Sequence, residues 1–430
     1  PSSLSFISCW REIPNPMESG AFHYCSSVLL LIISVGILLF PLMVASIGIN
    51  YGQIANNLPS PEDVVPLVKS VGATKVKLYD ADPRVLQAFA NTGVEFIVGL
   101  GNDYLAKMKD PEKAQAWVKT NVQAFLPATN ITSIFVGNEV LTFNDTTLTG
   151  SLLPAMQSVH TALVNLGLDK QVAVTTAHSL AILETSYPPS AGAFRPDLTA
   201  CINQLLSFHA KTGSPFLINA YPFFAYKANP KQVPLDFVLF QPNSGIVDPS
   251  TNLRYDNMLI AQIDAVYAAL ASAGYKKLPV HISETGWPSR GDEDEAGATP
   301  ENAKKYNGNL FKLMKKKGTP MRPSSDLNIY VFALFNENMK PGPTSERNYG
   351  LFKPDGTPVY SLGIATNEGV SNATSFGGPT PESSGMPNTM PESSSTGYLS
   401  ISSSSPERYH LGVGPAFFFI MSMVIRLVLY

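Results

Sequence analysis

The sequence predicts an α/β fold, a (β/α)₈ TIM barrel, in one domain that spans residues 47–365. Eight short β-rich runs alternate there with stretches that carry helix signals, which is the pattern of a closed parallel barrel. No Gly-x-Gly-x-x-Gly sequence follows the first run, and this disfavours a dinucleotide-binding, doubly wound sheet. With 44% hydrophobic and 15% charged residues, the chain is able to bury such a core.

The eight predicted strands are short, and turn or helix signals bound each of them. Most are rich in β-branched and aromatic residues, which favour extended backbone. In chain order they are IGINYG (47–52), KVKLYD (75–80), EFIVGL (95–100), SIFVGNEV (133–140), QVAVTTA (171–177), PFLINAYP (215–222), LPVHISETGW (278–287) and NIYVFALFNE (328–337).

Helix starts and stops separate these runs. At residues 60–63, Ser-Pro-Glu-Asp combines an N-cap residue, a proline at the first helical position and acids in the first turn. Residues 110–112 and 299–301 repeat this arrangement. Glycines stand where five of the helices are expected to end: Gly93, Gly167, Gly213, Gly274 and Gly318.

The charge and the cysteine count exclude several classes of function. The formal net charge is −3, so the chain lacks the basic excess of a nucleic-acid-binding protein. The chain has three cysteines, Cys9, Cys25 and Cys201, and this number is too small for a disulfide framework or a zinc cluster. Of these, Cys201 lies on a predicted helix and is interpreted as a small buried hydrophobe.

Neither a metal ion nor a cofactor is predicted. His178, His209 and His281 do not share a ligand spacing, so we interpret them as core or surface residues. The acidic run at residues 292–295 is interpreted as a solvated loop that follows the seventh strand.

Polar and aromatic residues collect at the C-terminal ends of the predicted strands. In a parallel barrel these ends meet on one face, whose loops build the active site. The residues are Tyr79 and Asp80 on the second strand, Asn138 and Glu139 on the fourth, Asn219 and Tyr221 on the sixth, Ser283 to Trp287 on the seventh, and Asn336 and Glu337 on the eighth.

Two of these residues, Glu139 and Glu284, form a candidate catalytic pair. They are far apart in sequence, but strands four and seven are expected to face each other across a small barrel. Glycoside hydrolysis requires two such carboxyl groups, one to protonate the leaving oxygen and one to stabilise or capture the anomeric centre. The alternative is that strand-end glutamates pair with Lys or Arg as structural salt bridges.

The neighbours of the pair are candidate sugar-binding residues. Asn138 is expected to hydrogen-bond a sugar hydroxyl and orient the ring. Tyr79, Tyr221 and Trp287 are expected to offer flat faces on which sugar rings stack. For Trp287, packing at the barrel rim is the alternative.

The N-terminal residues 1–46 are predicted to be an extension and a signal peptide. Residues 28–45 are an apolar run, and Ser46 follows at a small-residue cleavage site. An uncleaved membrane anchor is the alternative. Met17 precedes the run, so residues 1–16 are interpreted as lying upstream of the true start.

The C-terminal end predicts a lipid anchor. Residues 366–410 are a Ser/Pro/Gly-rich linker that we expect to be disordered, and residues 411–430 are a hydrophobic tail. Together they resemble a glycosylphosphatidylinositol signal, with Ser395 as the attachment site. An ordinary membrane-spanning helix is the alternative. Both place the domain on the extracellular side of the membrane, and the N-glycosylation sequons at Asn130, Asn144 and Asn372 are compatible with secretion.

Six motifs, in this order, resemble those of the plant endo-1,3-β-glucanases of glycoside hydrolase family 17. The resemblance runs from residue 47 to about residue 360. The motifs are IGINYGQIANNLPSP, KVKLYDADPRVL, IFVGNEVL, INAYPFF, ISETGWPS and LFNENMKPGPTSERNYGLFKPDGTPVY.

This resemblance implies a (β/α)₈ barrel that cleaves 1,3-β-glucan with retention and without a cofactor. It implies that Glu139 is the proton donor and Glu284 the nucleophile. It also implies that Glu337, Lys340 and Glu346 are subsite and supporting residues. No cysteine follows residue 365, so the tail resembles the membrane-anchored branch of the family without the cysteine-rich carbohydrate-binding module. That resemblance implies a location at the plasma membrane and cell wall.

The predicted function is therefore endo-hydrolysis of 1,3-β-D-glucosidic linkages in callose or laminarin by a protein tethered outside the cell. Two alternatives use the same barrel. One is a transglycosylase that hands the glucosyl-enzyme to another sugar, and the other is a non-catalytic, glucan-binding wall protein. The presence of both carboxylates disfavours the second alternative.

Overall fold

Eight parallel strands close into a barrel in chain order, so the predicted fold class is confirmed. The computed structural model describes residues 46–143 and 145–361. The barrel strands are β1 (Ile47–Tyr51), β2 (Ala73–Leu78), β3 (Glu95–Leu100), β4 (Asn130–Asn138), β5 (Ala173–Ser179), β6 (Phe216–Asn219), β7 (Val280–Thr285) and β8 (Ile329–Val331).

Helices and short turns connect the strands on the outside of the barrel. The α-helices are α1 (Pro61–Ser70), α2 (Pro83–Ala88), α3 (Leu105–Met108), α4 (Pro111–Asn121), α5 (Thr146–Asn165), α6 (Thr199–Thr212), α7 (Pro222–Ala228), α8 (Leu235–Val238), α9 (Met258–Ser272) and α10 (Pro300–Leu313). Two small antiparallel ribbons lie outside the barrel and pair Leu183–Thr185 with Ala193–Phe194 and Ile246–Val247 with Arg254–Tyr255.

Each predicted strand run overlaps a barrel strand, but the eighth strand is much shorter than its run. Regular pairing of β8 ends at Val331. Beyond it, Phe332 and Leu334 still donate backbone hydrogen bonds, to Thr285 and Asn50. This part of the eighth run therefore stays against the barrel rim without continuing the ladder.

The predicted helix starts are confirmed. The side chains of Ser60, Asp110 and Thr299 each accept a backbone hydrogen bond from the first turn of the helix that follows. At the end of α6, Gly213 takes a left-handed conformation with φ of 73° and donates to the carbonyl of His209. A side chain at that position would strain the backbone, which is why glycine ends this helix.

The core has two parts. A small cluster fills the interior of the barrel and consists of Ile97, Phe135, Ala177, Leu217 and Tyr330. A much larger one lies between the strands and the surrounding helices. Side chains alternate across a strand, so β2 sends Val76 and Leu78 to the outer core and Lys77 into the barrel.

Several predictions concern residues outside the described ranges. These are the signal peptide, the linker and tail with Ser395, and the sequons at Asn144 and Asn372. The remaining sequon residue, Asn130, is exposed at the start of β4. In residues 46–143 and 145–361, no helix combines the length and the apolar character needed to cross a membrane.

Candidate active site

The structure brings Glu139 and Glu284 into one site. Glu139 follows the last residue of β4, and Glu284 lies near the C-terminal end of β7. Asn219, at the end of β6, is in register with Glu284 and donates a hydrogen bond of 2.8 Å to Oε1 of Glu139. Two strands, β5 and β6, separate β4 from β7, so the carboxylates come from different walls of the barrel.

Glu139 is placed by a strained turn. Its φ of 55° is left-handed, which is uncommon for a residue with a side chain. The side chain of Asn102 makes two hydrogen bonds with the backbone of Asn138. Its Oδ1 accepts from the N–H of Asn138 at 2.8 Å, and its Nδ2 donates to the carbonyl of Asn138 at 3.0 Å. The backbone N–H of Glu139 donates to the carbonyl of Ala177 in β5. The turn therefore aims one carboxyl group toward the barrel axis.

The surroundings of Glu139 favour its protonated form. Burial raises its pKa from 4.5 to about 7, and the negative charge of Glu284 adds to the effect. The hydrogen bond from Asn219 and the charge of Lys77 oppose this rise without cancelling it. A carboxyl group with this pKa is able to act as a general acid near neutral pH.

Three donors surround the carboxylate of Glu284. Lys77 Nζ and the Tyr79 hydroxyl each lie 2.7 Å from Oε1, and the Tyr221 hydroxyl donates to Oε2 at 2.9 Å. Burial alone would raise the pKa of Glu284. The charge and hydrogen bond of Lys77, the hydroxyl of Tyr79 and the charge of Lys340 outweigh burial and hold the pKa below 4.5. Glu284 is therefore the ionised member of the pair.

Lys77 was not predicted as a site residue. Its side chain is completely buried, and Nζ lies 4.4 and 4.5 Å from the ring centres of Tyr79 and Phe135. The sequence does carry a signal, because this lysine stands between two apolar residues, Val76 and Leu78, near the C-terminal end of the strand. Such a lysine must point into the barrel and find an anion there.

The two tyrosines, Tyr79 and Tyr221, both contact the candidate nucleophile. Both direct their hydroxyls at Glu284, and their rings pack edge-on against Phe332. These hydrogen bonds give both tyrosines a role beside the predicted stacking on sugar rings, which stays a prediction. Burial and the charge of Glu284 keep the pKa of Tyr79 and of Tyr221 well above 10, so both hydroxyls remain donors.

The prediction that Trp287 stacks on a sugar is wrong for this structure. Its side chain is 0% exposed, and its ring packs against Phe223, Tyr226 and Tyr306. The indole N–H donates to the carbonyl of Gly297 at 2.8 Å. Trp287 therefore packs inside the protein and bonds another part of the loop after β7. This is the alternative interpretation, in which the residue packs at the barrel rim.

Asn138 lies beside the pair, as predicted. Its Oδ1 accepts from Asn219 Nδ2 at 3.3 Å, and the Oδ1 of Asn219 accepts from the Ser283 hydroxyl at 2.6 Å. This network connects the ends of β4, β6 and β7. It fixes the amide groups around Glu139 before any ligand arrives.

Glu337, Lys340 and Glu346 follow β8 on the same face. Glu337 accepts a hydrogen bond from the N–H of Ile54, and a side chain at Gly52 would clash with its carboxylate. Lys340 pairs with Glu346 at 3.2 Å, and its Nζ lies 4.2 Å from the ring centre of Phe332. These three residues therefore form a charged edge of the site.

The expectation of a solvated acidic loop holds for residues 292–294, which are exposed, and is wrong for Glu295. Glu295 is buried and paired with Lys227. Cys201 is half-buried and has a free thiol. Within the described parts of the chain, no three His, Cys, Asp or Glu side chains are grouped so as to hold a metal ion.

Comparison with known proteins identifies relatives of this barrel. The model of glycosyl hydrolases family 17 matches residues 47–364. Glucan endo-1,3-beta-glucosidase 11 of Arabidopsis thaliana is 62% identical over 423 residues, which is 95% of this chain and 99% of that protein. Glucan endo-1,3-beta-glucosidase 10 of the same plant is 69% identical over 331 residues, which is 76% of this chain and 78% of that protein.

A solved structure shows the same architecture. CJP38, described as a beta-1,3-glucanase and allergen of Cryptomeria japonica pollen, is 42% identical and superposes with a TM-score of 0.71. The match covers 74% of this chain and 98% of that one. The chain belongs to glycosyl hydrolases family 17.

Proposed function

We propose that this chain is an endo-acting glycoside hydrolase that cleaves 1,3-β-glucosidic linkages in 1,3-β-glucans such as callose or laminarin. The names of its relatives support this substrate class. One observation carries the proposal in this chain: Asn219, the strand partner of Glu284, donates to Glu139, so both carboxyl groups belong to one site, where the pKa of Glu139 is raised to about 7 and that of Glu284 is lowered. A proton donor and an ionised nucleophile then coexist at one pH.

The reaction we propose is a retaining double displacement. The carboxylate of Glu284 attacks the anomeric carbon while Glu139 gives its proton to the departing glycosidic oxygen. The bond to the leaving chain breaks, and a glycosyl-enzyme ester forms on Glu284. Glu139, now ionised, takes a proton from water, whose oxygen attacks the anomeric carbon and releases Glu284.

Other residues of the site bind and orient the glucan in this proposal. Asn138, held by Asn219, faces the sugar that reacts with Glu284. The charged edge of Glu337, Lys340 and Glu346 contacts hydroxyl groups of neighbouring glucose units. Tyr79 and Tyr221 orient the nucleophile through their hydroxyls.

Substitution of the nucleophile tests the proposal. We expect Glu284→Gln to lower the release of reducing sugar from laminarin by about 10⁴-fold or more, as removal of other catalytic nucleophiles does. Glu95→Gln, at the opposite end of the barrel, is the control and should stay near wild type. Circular dichroism would verify that both variants fold. Activity within a few-fold of wild type in Glu284→Gln would remove Glu284 from this role.

We further propose that the protein is secreted and held at the extracellular face of the plasma membrane and in the cell wall by a lipid anchor. The apolar run at 28–45 and the small-residue site, polar spacer and apolar tail up to residue 430 support this. A phosphatidylinositol-specific phospholipase should release the protein from membranes. Retention in the membrane fraction after this treatment would instead favour a spanning helix.

A further inference from the structure

The carboxylate of Glu295 is buried at the centre of four hydrogen bonds. Its Oε1 accepts from Lys227 Nζ at 2.7 Å and from the Ser345 hydroxyl at 2.6 Å. Its Oε2 accepts from the backbone N–H of Ser345 at 2.9 Å and from that of Asp292 at 3.1 Å. The side chain is 0% exposed, so it makes no contact with solvent and cannot touch a glucan directly.

These partners lie in the segments that follow three neighbouring barrel strands. Lys227 is in α7, after β6, and Glu295 itself is in the loop after β7. Ser345 belongs to the short helical turn Thr344–Arg347, after β8. Asp292 strengthens the same junction, because it accepts from the backbone N–H of Thr344 at 2.9 Å.

The turn that Glu295 holds carries part of the candidate site. Ser345 directly precedes Glu346, whose carboxylate pairs with Lys340. The positive charge of Lys340 in turn acts on Glu284. A shift of the turn would therefore move Glu346 and change the charge distribution beside the nucleophile.

We propose that Glu295 is a positioning residue that fastens the loops after β6, β7 and β8 to one another and so holds the Lys340–Glu346 pair beside Glu284. This inference rests on the proposed glucan hydrolysis and adds a residue that acts from beneath the site. A carboxylate suits this position because each of its oxygens accepts two hydrogen bonds, so all four donors are satisfied.

The substitution Glu295→Gln tests the inference. An amide places its NH₂ group against one of the two donor pairs, so either Lys227 and the Ser345 hydroxyl or the two backbone N–H groups lose their acceptor. We expect kcat/KM for laminarin to fall by about tenfold to a hundredfold, the cost when a group near the reacting atoms shifts by about 1 Å. The acid limb of the pH profile should move to higher pH, because Lys340 is less firmly placed near Glu284.

The matched control is Glu293→Gln, two residues away on the same loop. Glu293 is exposed, so this variant makes the same chemical change outside the junction. Asp292→Asn is a milder second variant, since Asp292 is exposed and its loss should leave the fold intact. It should change kcat/KM and the acid limb in the same direction as Glu295→Gln, but by less.

Hydrogen exchange separates this inference from the proposed function. Amides in residues 338–348 should exchange faster in Glu295→Gln and Asp292→Asn than in Glu293→Gln, whatever the enzyme acts on. If exchange, kcat/KM and the acid limb in both variants match the Glu293→Gln control, Glu295 does not position the site. An inactive wild type would instead overturn the proposed hydrolysis, and the exchange data would still decide whether the junction exists.

Discussion

At the scale of single residues, Glu139 and Glu284 differ only in what surrounds them. Both carboxyl groups lie deep in the barrel mouth, and burial alone would raise the pKa of each. Glu284 receives a buried lysine and two tyrosine hydroxyls, whereas Asn219 is the one side-chain donor described for Glu139. The ionised form is therefore favoured at one position and the protonated form at the other.

Lys77 is the residue on which this difference depends most. We expect Lys77→Met to raise the pKa of Glu284, because burial would then act without the cation that outweighs it. Glu284 must be ionised to react, so the acid limb of kcat/KM should move to higher pH, and kcat/KM at pH 5 should fall by about a hundredfold. The pH dependence of laminarin hydrolysis measures both effects.

The control for this prediction is Lys75→Met on the same strand. Lys75 also faces the barrel, but its partners are Asn328 and Glu95 at the other end. Equal displacement of the acid limb in both variants would show that Lys77 has no specific effect on Glu284.

At the scale of elements, the end of β4 decides where the candidate acid points. The strand stops at Asn138, and the next residue turns into a left-handed conformation that leaves the ladder. Asn102, from the loop after β3, bonds the backbone N–H and carbonyl of Asn138 with its side chain, in place of a neighbouring strand. The side chain of Asn102, in the neighbouring loop, therefore stabilises the strained backbone conformation at Glu139.

We expect Asn102→Ala to release this turn. The half-buried backbone of Asn138 would lose two hydrogen bonds, each of which contributes about 1 kcal/mol. The displaced Glu139 should lower kcat/KM for laminarin by about tenfold or more. Asn121→Ala, which removes an amide on α4, is the control, and equal activity of the two variants would contradict the positioning role.

At the scale of the whole molecule, buried neutral histidines make the barrel sensitive to acid. Burial lowers the pKa of His178 to about 3 and those of His209 and His281 to about 4. In the unfolded chain these groups bind protons below about 6.5. The unfolded state therefore takes up more protons as the pH falls from about 6.5 toward 4, and the free energy of unfolding decreases over that window.

His178 offers the clearest test of this sensitivity. Neither of its ring nitrogens has a hydrogen-bond partner among the described residues, and its ring stacks on Phe216 at 4.9 Å. His178→Phe keeps an aromatic ring but does not titrate. Between pH 6 and 4 the wild type should lose about 1.4 kcal/mol per pH unit more than the variant, as measured by urea unfolding. Parallel slopes would mean that His178 is already protonated in the folded state.

The sequence alone determines the barrel and the face on which its chemistry lies. The signals for strands and helix ends are local, because they depend on neighbours close in the chain. Strand alternation, the N-cap at Ser60 and the glycine at Gly213 can therefore be recognised from the sequence alone. Parallel strands also carry a direction, and for this reason Glu139 and Glu284 could be assigned to the same end of the barrel before their surroundings were known.

The tertiary structure decides what each of these residues touches. Lys77 donates a hydrogen bond to Glu284 across the barrel interior. The side chains of Trp287 and Glu295 are both fully buried, the latter where three loops meet. Each of these outcomes depends on residues far away in sequence that meet only when the barrel closes. Burial and the identity of the neighbouring charges set the pKa values, so protonation states follow from the fold and not from the motif.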